Sequence, residues 1–299
     1  LVNPHDCSNN TLSCVKKAGP VKFVAMQKGD MKWWAPLNDL PSQVNDSVSL
    51  TNESVDLGCV ETDKCEPVVM DKLLNATVTD IFRNKYLSPR SPYTTLQIPE
   101  QGIGEWCHPL ETANIDDSGL RAAVHDNVLQ TKVGIPFRTP AEGPNIAFTS
   151  LWNNYPDSVS IPLNGKASCA YLLMAGSTNH MQSHIENAVL RVYYKDGSSD
   201  LLSLVNPYNW PPIEQIYFED GKAFNRYAKS MYRLRLKTGE ISNHFGEELG
   251  YKGVSQIIDG GAAVILRMPL NHNKQLSHLV LETLSNDVVI GLMGITLHR

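Results

Sequence analysis

The chain is cut into short runs rich in branched and aromatic residues, each closed by Gly, Pro, Asn or Asp. This punctuation constrains the fold more than any other feature, because it is the pattern of strands and turns. The runs are VKFVAM (21–26), NIAFTSLW (145–152), SVSIPL (158–163), CAYLLMAG (169–176), AVLRVYY (188–194) and DLLSLV (200–205). MYRLRLK (231–237), GAAVILRM (261–268), LSHLVLETL (276–284) and DVVIGLMGITLHR (287–299) follow. Successive side chains of a strand point to opposite faces. The alternation in MYRLRLK therefore predicts Tyr232, Leu234 and Leu236 toward a core, and Arg233 and Arg235 toward water. Asp196-Gly197 between two runs predicts a hairpin, since this pair accepts the positive φ angles of tight turns. The expectation is an all-β, mainly antiparallel chain built as a sandwich or jelly roll.

Helical signals are few. Val78, Ile81 and Phe82 fall on one helical face, and Thr77 precedes Asp80 by three residues, as in a capping box. Leu120 and Val124 follow cap candidates in DDSGLRAAVHDNVL and predict one short helix. Residues 40–66 are polar and rich in Ser, Asn and Asp, and a composition shift follows them. Residues 1–66 are read as a smaller β segment or the end of a preceding domain, and 67–299 as one large sandwich.

Apolar residues make up 42% and charged residues 19% of the 299, which is a globular composition. The net charge is −5 and no window is rich in Lys and Arg, so a nucleic-acid partner is rejected for want of a basic stripe. No apolar run approaches the ~20 residues that span a bilayer. The start, LVNPHDCSNN, is read as that of a processed or excised piece, with any targeting segment removed. None of the six cysteines forms C-x-x-C. Cys7/Cys14 and Cys59/Cys65 could close small disulfide loops, but buried thiols are the favoured reading.

Three irregular stretches gather aromatic and polar side chains. YLSPRSPYTTLQIPEQGIGEWCHP (86–109) holds Arg90, Tyr93, Glu105, Trp106 and His108, and its prolines predict irregular chain across the mouth of the sandwich. SLWNNYPDS holds Trp152, Asn153, Asn154, Tyr155 and Asp157. NPYNWPPIEQIYFED holds Tyr208, Asn209, Trp210, Glu214, Gln215 and Tyr217. Loops at one end of a sandwich can form a ligand face on a rigid scaffold. Sugars suit such residues, because their apolar planes stack on Trp or Tyr while their hydroxyls bond amides, carboxylates and Arg. The opposing reading is that each Trp plugs the open end of the sandwich.

Glycoside hydrolysis needs two carboxyl groups about 5 to 9.5 Å apart. Glu105, Asp116, Asp117, Asp157 and Glu214 are candidates, and nothing in their spacing pairs them. Asp116 and Asp117 fit helix capping better, with a structural Ca²⁺ as the weaker reading and no cofactor required. His180 and His184 would meet only on a helix, and their segment leads into a strand. The sequence contains no G-x-S-x-G elbow and no Gly-rich nucleotide loop.

The stretches YLSPRSPYTTLQIPEQGIGEWCHP, IDDSGLR, GIPF, FTSLWNNYP, YLLMAGSTNHMQS and VYYKDGSSDLLSLVNPYNWPPIEQ resemble a known family from about residue 68 onward. It is the C-terminal region of large multidomain proteins of polysaccharide-degrading gut anaerobes, labelled domain of unknown function 4450. The resemblance implies a galactose-binding-like jelly roll preceded by a glycosidase-like α/α-barrel in the same polypeptide. It also implies a periplasmic, cell-surface or secreted location. Two positions depart from the family pattern: Pro211 stands where a Trp is common, and Cys169 where a His is usual.

The leading expectation is a non-catalytic accessory module that orients the barrel and holds polysaccharide as a secondary role. The alternatives are a glycoside hydrolase using loop carboxylates, and a protein-interaction domain. Sugar binding predicts Trp106, Trp152 and Trp210 on one exposed concave face. Scaffolding predicts these rings buried, with Arg90 and Glu105 bonded to backbone.

Overall fold

The structure is a computed structural model. It describes residues 53–84, 113–178, 182–216, 231–244 and 257–299, together with the backbone of four further strands and of Gln256. The chain divides into two compact units, Leu1–Leu50 and Thr51–Arg299. In the first, β1 (Phe23–Lys28) and β2 (Met31–Pro36) form an antiparallel hairpin.

The second unit carries, in chain order, β3 (Cys65–Pro67), β4 (Gly102–Glu105), β5 (His108–Thr112), β6 (Val124–His125), β7 (Val128–Gln130), β8 (Pro136–Arg138), β9 (Ala147–Thr149) and β10 (Ser158–Pro162). It continues with β11 (Cys169–Thr178), β12 (Glu186–Tyr194), β13 (Ser199–Val205), β14 (Gln215–Ile216), β15 (Tyr232–Arg235) and β16 (Ile241–Ser242). The last strands are β17 (Gln256–Ile257), β18 (Ala262–Pro269), β19 (Leu276–Thr283) and β20 (Val288–His298). The fold is mostly antiparallel β, as the strand and turn pattern predicts, and the β12–β13 hairpin turns at Gly197 with φ +85°.

Two sheets form the sandwich. The larger has the order β16-β15-β18-β11-β20-β3, with β9 also on β20; the smaller has the order β10-β19-β12-β13. Alternate residues of β11 serve two different cores. Ala170, Leu172 and Met174 pack with Leu190, Val192, Leu279 and Leu281 of the smaller sheet. Tyr171, Leu173 and Ala175 pack with Phe137, Ile146, Phe148 and Leu120 on the opposite side. A third layer, drawn from residues 57–82 and 113–155 apart from β3 and β9, thus covers the outer face of the larger sheet. Every residue of β11 is buried in consequence, and its sequence reads as one apolar run. The smaller sheet turns its other face toward water: β19 alternates, and β12 does so from Leu190 to Tyr194, while Val189 on that face is 6% exposed.

The third layer contains the few helical turns. A 3₁₀ turn at Val78–Asp80 has the predicted Thr77/Asp80 capping box. The expected short helix is α1 (Ser118–Ala122), lying against the larger sheet through Leu120 N–H donating to Leu236 O at 2.8 Å. Gly119 permits this approach, since a Cβ there would stand 2.3 Å from Lys237 O.

Three sequence expectations are corrected. The polar stretch before residue 66 is not a boundary. Val55 and Leu57 enter the two cores, Arg267 N–H donates to Ser54 O, and β3 pairs with β20. Arg233 does not face water: it is 5% exposed, because β15 lies in the sheet covered on both sides. Its guanidinium donates to the carbonyls of Ala263, Pro212 and Ala262 at 3.2, 2.9 and 2.8 Å. The third concerns the end of the 86–109 stretch, which is a hairpin of β4 and β5 rather than irregular chain, with a register shift at Ile103/Gly104. Glycine and proline there hide the strand pattern while accommodating an irregular ladder. Cys59, Cys65 and Cys169 are free thiols.

Candidate functional site

Strand registers bring four connections to one pole of the sandwich. Thr178 pairs with Val288, Thr149 with Ile290, Val205 with Glu186, and Thr283 with Ala188. The chain leaving β9, β11, β13 and β19 therefore emerges at the same end. Two of the three aromatic stretches singled out in the sequence lie here, at 150–157 and 206–215.

Hydrogen bonds tie these connections together. Trp152 Nε1 donates to Asn286 O at 2.9 Å, joining the connections after β9 and β19. Gln182 Nε2 reaches Asp287 Oδ2 at 3.4 Å. His184 N–H donates to Asn206 O at 2.7 Å, and its Nδ1 lies 2.9 Å from Tyr208 OH with the rings edge to face. Asn187, fully buried, accepts from Thr178 Oγ1 and donates to the carbonyls of Gln182 and Ile185. Asn209 Nδ2 donates to Ser203 O while its Oδ1 accepts from Val205 N–H, so one amide covers the edge of β13 as a neighbouring strand would.

The aromatic residues divide by exposure. Trp152 is 5% exposed and Tyr155 packs at 5.0 Å from the Phe148 ring, its hydroxyl meeting Asn84 Nδ2. Trp210 is wholly enclosed in the core between the sheets, over Gly176, where a Cβ would lie 2.7 Å from the indole. The exposed concave face that would use Trp152 and Trp210 is therefore not formed: both rings are spent on packing. Asn154 and His184 are exposed and Tyr208 is half-buried. Arg90, Tyr93 and Trp106 lie outside the described residues, and His108 and Glu105 are placed only as backbone of β5 and β4.

The candidate carboxylates are separated in role. Asp116 Oδ1 accepts from Ser118 N–H at 3.0 Å, and this bond holds its carboxyl below the usual range. Asp117 Oδ2 accepts from Arg121 Nε and Asn145 Nδ2 at 2.9 and 2.8 Å. Both serve the start of α1. Among the described residues, no three or more His, Cys, Asp or Glu come together to hold a metal ion. Asp157 is exposed and accepts from Ser158 Oγ. Glu214 is 2% exposed, and burial pushes its pKa up to about 8, against the opposing pull of its own N–H and of Arg233. Its Oε2 has no hydrogen-bond partner among the described residues, nor has Trp210 Nε1. Gln215 is buried on β14, paired with Ile257.

His184, weighed in the sequence only as half of a metal-binding pair, completes the pole. It adopts φ +63°, a left-handed conformation uncommon outside glycine. Its neighbour Ile185 (48%) and Leu284 (41%), on the connection after β19, are exposed at the same pole. The arrangement offers a small amphipathic surface of imidazole, phenol, amide and aliphatic groups. Its solvent-facing groups hydrogen-bond and pack, and among the described residues the carboxyl with a raised pKa, Glu214, is buried.

No protein-family model matches the chain, and no curated protein matches it. Fold and pole together define an antiparallel all-β sandwich in which Trp152 and Trp210 are structural.

Proposed function

We propose that the chain is a non-catalytic accessory β-sandwich module of an exported glycan-degrading protein. Its work is to pack against and orient a catalytic α/α-barrel of the same polypeptide. The glycan setting rests on the resemblance over residues 68–299. The accessory role rests on one observation: the aromatic loops are bolted to each other and to the core through Trp152, Trp210 and Asn209, which makes the pole rigid. Asp116, Asp117 and Glu214 support it, since each is committed to capping, ion pairing or burial. The test is incubation of the purified chain with laminarin, xylan and pectins, followed by reducing-end analysis. The reading expects no release of reducing ends, and hydrolysis that survives rigorous purification would replace it with the hydrolase alternative.

Sugar binding is the second reading, favoured by the exposure of His184 and Asn154 beside Tyr208. Retention on polysaccharide-containing native gels should then be lost in Tyr208→Ala, with the melting temperature little changed. Equal retention of wild type and variant removes the pole from consideration as the sugar site.

A further inference from the structure

The solvent face of the smaller sheet has a charge pattern that complements itself. The register of β12 on β19 sets Val189 opposite Glu282, Arg191 opposite Val280 and Tyr193 opposite His278. These side chains share the outer face, because Leu190, Val192, Leu279 and Leu281 point into the core. Arg191 and Glu282 thus occupy two corners of a quartet whose other corners are Val189 and Val280. Among the described residues neither charge has an ionic partner; Arg191 makes only a long 3.4 Å bond to Ser199 Oγ. The surround is apolar for a face turned to water: Leu201, 38% exposed, is opposite Arg191, and the Tyr193 and His278 rings stack at 4.6 Å. Pro162 stands opposite His278 on β10 and blunts that edge of the sheet.

We propose that this face is the interface of a twofold-symmetric dimer of the chain. Strands lie about 4.8 Å apart and alternate residues about 6.8 Å apart, so the quartet is a rectangle whose diagonal runs at about 35° to the strands. A twofold axis lying in the interface along the Val189–Val280 diagonal carries each of the other two corners close to the other's place. Arg191 then stands over Glu282 of the partner subunit, and the same contact recurs by symmetry, as an isologous interface requires. Val280 meets its own counterpart on the axis, Val189, 6% exposed, lies beneath the charged side chains, and the strands of the two copies cross at about 70°. The face measures roughly 400 Å² in projection. That is small beside the ~800 Å² per partner of a standard interface, so the dimer is concentration-dependent.

Sedimentation equilibrium over a concentration series tests this, with circular dichroism confirming that each variant is folded. Wild type should dimerise, and Arg191→Glu or Glu282→Arg alone should weaken dimerisation by at least about tenfold. Mixing the two single variants should restore a heterodimer, because each then presents the charge the other lacks, and the double variant R191E/E282R should dimerise by itself. A wild-type chain monomeric at every concentration overturns the proposal. So does a dimer indifferent to both reversals, or one that neither mixing nor the double variant rescues. Protection of this face by added polysaccharide in a monomeric chain would assign it to a sugar instead, and equally overturns it. None of these outcomes depends on whether the chain cleaves a saccharide, so this result and that of the accessory reading are separable.

Discussion

The two sheets of the sandwich are made from similar residues and live in different surroundings. β11 in the larger sheet is buried along its whole length, while β12 in the smaller sheet alternates between buried and half-buried positions from Leu190 to Tyr194. The difference lies in what covers the far side. The larger sheet carries a third layer anchored by Leu129, Phe137, Ile146 and α1, and the smaller sheet carries nothing among the described residues. A charge can remain on the open face at little cost, as Arg191 and Glu282 do. On the covered sheet a charge must be neutralised or bonded: Arg233 donates to three carbonyls, and Glu214, at the adjoining β14, is held against ionisation. The same contrast separates the pole, where buried aromatics lock the loops, from the outer face, where aromatic rings stack and stay partly wet.

The largest effect should come from the region where the covered sheet, the smaller sheet and the pole meet. Trp210→Ala empties the space beneath Gly176 and should cost about 3 to 5 kcal/mol in urea unfolding. A loss under about 1 kcal/mol would mean that the loop, not the core, carries this ring.

Glu214 gives a pH test of the covered region. Its native pKa is near 8, against an ordinary value of 4.5. Below 4.5 both native and unfolded states hold the proton. Between 4.5 and 8 the native state keeps a proton that the unfolded chain has released, so stability falls as pH rises. The slope is roughly 1 kcal/mol per pH unit, and it flattens above 8. Glu214→Gln, which cannot ionise, should lack this slope, so the difference between the wild-type and variant unfolding free energies carries it. Parallel curves for wild type and variant across that range would show that the carboxyl is hydrated.

A smaller effect is expected at the pole. Trp152→Phe keeps most of the ring but loses the bond to Asn286 O, which should cost about 1 kcal/mol and loosen the turn joining β19 to β20. Hydrogen exchange at residues 284–287 should rise with it; unchanged exchange would detach Trp152 from the locking of the pole.

The strands were legible in the sequence because branched residues and turn formers alternate on a short scale, and the Asp-Gly hairpin because its turn chemistry is local. The third layer was not legible. Residues 53–66 are polar in composition, yet Val55 and Leu57 enter the cores and Ser54 and β3 bond to the larger sheet. Arg233 was misplaced for the same reason, since alternation reads correctly only when one face of a sheet is wet. At the pole, the sequence named Trp152, Trp210 and Glu214, but a ring that binds a sugar and a ring that plugs a core look alike in sequence; burial tells them apart. His184 carried no signal beyond its type, because its left-handed backbone follows from the path between β11 and β12.

The central claim is that one sheet is covered on both faces and the other on one. The most direct measurement is urea unfolding of two matched variants, Leu173→Ala on the covered far side of β11 and Leu201→Ala on the open face of β13. Leu173→Ala should cost about 2 to 5 kcal/mol and Leu201→Ala no more than about 0.5. Leucines of equal and small cost would contradict the account, because the third layer would then not be packed on the sheet.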